Sequence, residues 1–241
     1  MPTMDVGQRR ILAIETSGRT GSVVLATGGG RIIAAAGPLG VHARASELMP
    51  AVERMLADAG WPADSLTEVF VSIGPGSFTG LRIGVSVART LSWAIGAKVV
   101  AVPTLECLTC NALSITPPPP NLAVILDAKS GRVFCGAFEF RDGRYVPTGD
   151  AHMDVPQAFL ARCPRPLAVL GDGVSRHCQV VLDSGAVILD SGLWAAKAEN
   201  VVRVGMRLAE AGQYTPGGDL LPCYVRRPDP EEKWERLHAK P

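Results

Sequence analysis

Two short apolar runs open the chain, Ile11–Ile14 and Val23–Ala26, separated by Thr16-Ser17-Gly18-Arg19-Thr20-Gly21. Ile- and Val-rich segments on either side of a Gly/Ser/Thr turn predict a β-hairpin. A third strand, Ile32 to Ala36, is expected after Gly28-Gly29-Gly30. From Ser46 to Ala59 the period lengthens: Leu48, Val52, Met55, Leu56 and Ala59 recur on one side, as in an amphipathic helix. Ser46 reads as its N-cap, Pro50 falls in the first turn, and Gly60 with Pro62 ends it. Val69 to Ile73 predicts a buried strand, followed by Gly74-Pro75-Gly76-Ser77-Phe78-Thr79-Gly80 and a long helix to about Ile95. Val99 to Val102 reads as a strand and Thr104 to Leu113 as a helix.

Pro117-Pro118-Pro119-Pro120 forbids helix or central strand and favours an extended spacer. A domain boundary is expected there, giving an N-terminal domain over 9–113, a C-terminal domain over 122–221 and a tail over 222–241. The tail ends in a charged, solvated run, Asp229 to Lys240. Beyond the prolines the opening pattern recurs. Val124 to Asp127 predicts a strand, Ala128 to Arg132 a turn and Val133 to Phe140 a second strand. Glu15-Thr16-Ser17-Gly18-Arg19 and Asp127-Ala128-Lys129-Ser130-Gly131-Arg132 both place an acid at a strand end and Ser-Gly-Arg in the turn. The repeat is far longer than a solenoid period and points to two related domains. Further on come a helix near Val155 to Ala161, a strand at Leu167 to Leu170, Gly171-Asp172-Gly173, and a helix from about Ala195 to Ala211.

Composition narrows the function. With 47% hydrophobic and 20% charged residues, the 241-residue chain has the balance of an ordinary globular protein. A net charge of +1, with Lys and Arg scattered, argues against a broad nucleic-acid face. Met1 to Arg10 lacks the apolar core of a signal peptide, and Arg89 and Lys98 interrupt the longest apolar stretch, Ile83 to Val102. A cytoplasmic protein that avoids the membrane is expected. Cys107 and Cys110 form a C-x-x-C without the second pair that a zinc site needs, so burial in a helix is the expectation. His42, His152, His177 and His238 show no helical ligand spacing, and no metal site is expected.

An acidic strand end beside small hydroxyl residues, present twice, suits a nucleotide clamp. Turn amides can cradle phosphates while a carboxylate holds hydrated Mg²⁺. Glu15, Thr16, Ser17, Asp127 and Lys129 are the candidates, as a vestigial nucleotide site or as two purely structural hairpins. No residue identifies itself as a base for hydrolysis, and no catalytic residue is predicted. Gly74 to Arg82 is neither a Walker A loop nor a nucleophile elbow. It reads as a strand-to-helix turn capped by Ser77 or Thr79, with Gly80 and Gly84 leaving a smooth stripe for a partner helix.

Ile11-Leu12-Ala13-Ile14-Glu15-Thr16-Ser17, then GPGSFTGLRIG from Gly74 to Gly84, Leu126-Asp127-Ala128 and Pro222-x-Tyr224-x-Arg226 together resemble the TsaB (YeaZ) family. The resemblance implies an α/β, actin-like (ASKHA, RNase H-like) fold with two related α/β domains. It implies a non-catalytic subunit for threonylcarbamoylation of adenosine 37 (t6A) in tRNAs reading ANN codons. TsaD is then the metal-bearing transferase and direct partner, with TsaE and the threonylcarbamoyl-AMP synthase (TsaC/Sua5) as functional partners. It further implies a homodimer when the chain is alone, tRNA contact only through the complex, and no cofactor of its own beyond ATP or ADP shared at the TsaD interface. The implied interface comprises Leu48, Val52, Ser77, Phe78, Thr79, Gly80, Leu81, Gly84 and Val87. Two residues depart from the family pattern: Glu15 stands where Asp is usual, and Arg44 where His is common. The alternatives are a small-molecule kinase of the same fold or a peptidase.

Overall fold

The computed structural model describes residues 9–40 and 44–223, with the side chains of residues 44 and 45 excepted. His42, His238, Tyr224, Arg226, the Arg44 side chain and the charged run to Lys240 lie outside the described residues.

The hairpin forms as expected from β1 (Arg10–Glu15) and β2 (Gly21–Thr27), and β3 (Ile32–Leu39) extends it. α1 (Arg44–Asp58) begins ahead of Ser46, so Ser46 is not its cap and Pro50 lies inside the helix. β4 (Glu68–Gly74), α2 (Phe78–Ile95) and β5 (Lys98–Pro103) follow. The next helix is split into α3 (Thr104–Thr109) and a 3₁₀ turn, Cys110–Ser114. The second half supplies β6 (Asn121–Asp127), β7 (Val133–Arg141), β8 (Arg144–Pro147), β9 (His152–Asp154), α4 (Pro156–Arg162), β10 (Leu167–Leu170), α5 (Val174–Asp183), β11 (Val187–Ile188) and α6 (Ala198–Glu210).

The two sheets share one topology. The first runs β3-β2-β1-β4-β5, with β1–β2–β3 antiparallel and β4 and β5 parallel to β1. The second has the path β8-β7-β6-β10-β11 with the same directions, and β9 pairs on β7 as an addition. Two lobes of one topology make the duplication a property of the fold, well beyond one matching tripeptide.

Strand alternation divides the first core. Leu12 and Ile14 face the layer of α1 and α2, while Ile11 and Ala13 face Val201, Val202 and Leu208 of α6. The C-terminal domain expected over 122–221 is therefore corrected. After building the second lobe the chain returns, α6 covers the first sheet, Thr215 bridges to Val99, and Leu220 enters the first core. The physical reason is apolar area: without α6, one face of β1, β4 and β5 would stand open to water.

Asn111 holds the crossing. Its Nδ2 donates to the carbonyls of Leu193 and Ala195, both at 2.8 Å, and its Oδ1 accepts from Asn200 Nδ2 at 2.7 Å. Asn111→Ala would remove all three bonds from these exposed or half-buried groups and is expected to cost about 1–3 kcal/mol in denaturant unfolding. An unchanged midpoint would contradict that reading.

Candidate functional site

The C-terminal ends of β1 and β6 bring the sequence-predicted residues to equivalent places in the two lobes. Glu15, Thr16 and Ser17 are buried at the first turn, with Glu15 fully so. Glu15 Oε1 accepts from the Ser17 amide and hydroxyl, each at 2.5 Å. Its Oε2 makes no hydrogen bond of ordinary geometry among the described residues, although the Ser72 hydroxyl lies close enough to lower the carboxyl's pKa. Burial outweighs these donors and raises the Glu15 pKa.

At the second turn, Lys129 and Ser130 take left-handed conformations, φ 62° and 49°. Asp127 Oδ1 accepts from the Lys129 amide at 3.0 Å, and Oδ2 pairs with Arg176 Nε at 3.1 Å. The Asp127 amide donates to Asp172 Oδ1 at 3.0 Å. Burial raises the Asp172 pKa, while Arg19, from the turn of the other lobe, and Arg176 act to lower it. A charge of one lobe thus acts on a carboxyl of the other.

Asp172 escaped the sequence reading, yet a signal existed. Gly74-Pro75-Gly76 follows β4, and Gly171-Asp172-Gly173 follows β10, its topological equivalent. A Cβ on Gly76 would meet the Ser17 carbonyl at 2.4 Å, and one on Gly171 the Ile125 carbonyl at 2.2 Å. In each lobe a Gly-x-Gly lets the fourth strand's exit pack onto the end of the first. The motif is thus repeated packing, carrying an acid only in the second lobe.

These residues fit Mg-nucleotide poorly. Glu15 cannot reach a hydrated cation from full burial, and Asp127 is already engaged by Arg176 and a turn amide. Among the described residues, no three His, Cys, Asp or Glu side chains come together to hold a metal. The C-x-x-C thiols lie in α3 and the turn after it, where burial pushes Cys107 up strongly and Cys110 to about 11. Both are neutral near pH 7.

The GPGSFTGLRIG segment needs a sharper correction. Ser77 caps α2, its hydroxyl accepting from the Gly80 amide at 3.2 Å. Gly80, Leu81 and Gly84 then face the protein's own sheet. A Cβ at Gly84 would meet Thr16 Oγ1 at 2.5 Å and Ile14 and Val71 at 3.4 Å. The glycine at 84 admits Thr16, not a partner helix. Leu48 and Val52 are equally buried inside the first core. Leu48, Val52, Gly80, Leu81 and Gly84 are therefore withdrawn from the interface set.

Of that set, Thr79 remains exposed and Ser77, Phe78 and Val87 half-buried, with the Arg82 guanidinium 4.0 Å from the Phe78 ring centroid. The sequence reading missed Trp93, which is 89% exposed on the outer stripe of α2 that also carries Arg82, Ser86 and Arg89. Trp93, Arg89, Thr90, Ser92, Gly217 and Gly218 line an open groove of about 430 Å³.

A family model described as TsaD, tRNA N6-adenosine threonylcarbamoyltransferase, matches residues 40–170. The TsaB protein of Bacillus subtilis, named a tRNA threonylcarbamoyladenosine biosynthesis protein, is 32% identical across 77% of this chain and 81% of its own length. The chain belongs to the TsaB family. Escherichia coli TsaB aligns over 96% of this chain and 99% of its own length at 25% identity. YeaZ from Pseudomonas aeruginosa superposes with a TM-score of 0.76, covering 90% of this chain and 99% of that one at 24% identity, which supports the shared fold. The actin-like, two-lobed α/β architecture of the family accounts for the paired topology above. No described helix is long and apolar enough to cross a membrane.

Proposed function

We propose that this chain acts in tRNA threonylcarbamoyladenosine biosynthesis as a non-catalytic subunit, using the outer surface of α2 to pair with TsaD. Family membership supports the pathway. The partner role rests on one observation: an 89% exposed Trp93 on a helix whose other face is fully committed to the core. A large exposed aromatic with Arg89 one turn away has the composition of an interface anchor. At the two turns, by contrast, the carboxylates are spent on internal bonds, which suits a chain whose chemistry is done by its partner. TsaE and the threonylcarbamoyl-AMP synthase act alongside, with any ATP or ADP held at the shared interface. The same α2 surface serves a homodimer when the chain is alone, so homodimer and heterodimer exclude one another.

A kinase of this fold would need a carboxylate base open to the cleft. The Asp127 carboxylate is instead held by Arg176 and the Lys129 amide, and Asp172 accepts from the Asp127 amide.

Trp93→Ala tests the pairing surface. It is expected to weaken TsaD binding roughly 30-fold, about 2 kcal/mol for a buried aromatic anchor, with the monomer's melting temperature unchanged. Calorimetric titration reads both partners directly. Wild-type affinity in the variant would move the contact elsewhere.

A further inference from the structure

β1, β2, β4, α3 and α6 converge on one fully buried carboxyl. Glu15 ends β1 on the face shared with Ile11 and Ala13, which α3 and α6 cover. Opposite it in the β1–β2 register stands Ser22, whose Oγ accepts from the amide of Ala198, the first residue of α6, at 3.0 Å. Ser72 approaches from β4, and Cys107 of α3 is near enough for the carboxyl's charge to act on its thiol. The chain leaves the first lobe through α3 and re-enters it at α6, so both passages between the lobes run beside Glu15.

Among the described residues the environment is polar and holds no cation. The turn contributes the Ser17 hydroxyl and amide and the Gly18 amide, β2 contributes Ser22, and β4 Ser72. From α3 comes the neutral Cys107 thiol. Glu106 pairs with Arg207, while Arg19, Arg82, Lys197 and Glu199 are exposed. On α2, the residue against this turn is Gly84. An ionised carboxylate here would bury a full charge with Oε2 lacking a donor of ordinary geometry among the described residues, a costly arrangement. Protonation removes that cost and turns Oε2 into a hydroxyl.

We propose that Glu15 is held as a neutral carboxylic acid in the folded protein, and that its proton keeps the joint between the lobes closed. The sign follows from burial. The folded state holds the proton more tightly than the unfolded chain, so the stabilisation is complete below the ordinary glutamate range and is lost as pH rises through the folded value. Ionisation loosens α3 and α6, the elements that join the lobes.

The test compares the full chain with Glu15→Gln, the neutral isostere, from about pH 5 to about pH 8.5. Relative to Glu15→Gln, the wild type is expected to lose roughly 3–6 °C of melting temperature as pH rises. Amide exchange in α3 and α6, corrected for its intrinsic pH dependence, should quicken with pH in the wild type alone. A gap that stays constant, or that closes as pH rises, overturns the proposal. So does quickening confined to other elements. Should Glu15→Gln fail to fold, the wild type decides by itself. Its infrared pH-difference spectrum must lose a protonated-carboxyl band over this range while the protein stays folded, and absence of that band overturns the proposal.

Discussion

Gly84→Leu is expected to destabilise the isolated chain by about 3 kcal/mol or more, through its own fold and not through a lost partner. Even the first carbon of the new side chain would sit 2.5 Å from Thr16 Oγ1 and 3.4 Å from Ile14 and Val71, all fully buried. Thr16 cannot retreat freely. The neighbouring Ser17 carbonyl accepts from the Ser77 amide at 2.7 Å, and that carbonyl abuts Gly76. The gain in helix propensity on replacing glycine, up to about 1 kcal/mol, offsets only part of the overpacking. Denaturant unfolding of the monomer is the check. A wild-type midpoint would place Gly84 on the surface and restore the glycine stripe as a docking face.

Gly205→Val should be comparably severe. Gly205 brings α6 down onto Phe70 in the middle of the first sheet, where a Cβ would meet the ring at 2.4 Å. Phe70 is fully buried beneath α6, with Val100 and Val102 alongside in the same cluster. The helix must therefore lift, exposing the face it covers, at a cost of about 3 kcal/mol or more. Because α6 ends the passage back from the second lobe, amide protection should fall first in α6 and β5. If protection in α6 is retained at wild-type levels, the close approach is not what holds the helix down.

The repeating apolar pattern made most of the fold legible. β1, β2, β4, β6, β7 and β10 each carry a compact apolar run, and α2 and α6 show the helical period over long spans. α5 was missed because Ser175, Arg176, His177, Cys178 and Gln179 dilute its apolar stripe, and His177 kinks it at φ −118°. β8, β9 and β11 are too short to print a period. The partner of α6 was hidden for a different reason. Amphipathicity says that a face is buried but not which sheet buries it, and proximity in sequence pointed to the wrong lobe. The candidate site failed in the same way. Gly80 and Gly84 announced a close approach, but only the fold reveals that Thr16 is what approaches Gly84. Glu15 and Asp127 were recognised as equivalent, whereas their fates, one entombed and one ion-paired, depend on tertiary neighbours.

The most direct test of the central claim is reconstitution. Purified chain is combined with TsaD, TsaE and the threonylcarbamoyl-AMP synthase of its own organism, with ATP, bicarbonate, threonine and unmodified tRNA. The quantity read is threonylcarbamoyladenosine formed with and without this chain. Product that requires the chain, while the chain alone neither hydrolyses ATP nor modifies tRNA, is the predicted result. Equal product in its absence, or turnover by the chain alone, would contradict the account of a non-catalytic partner.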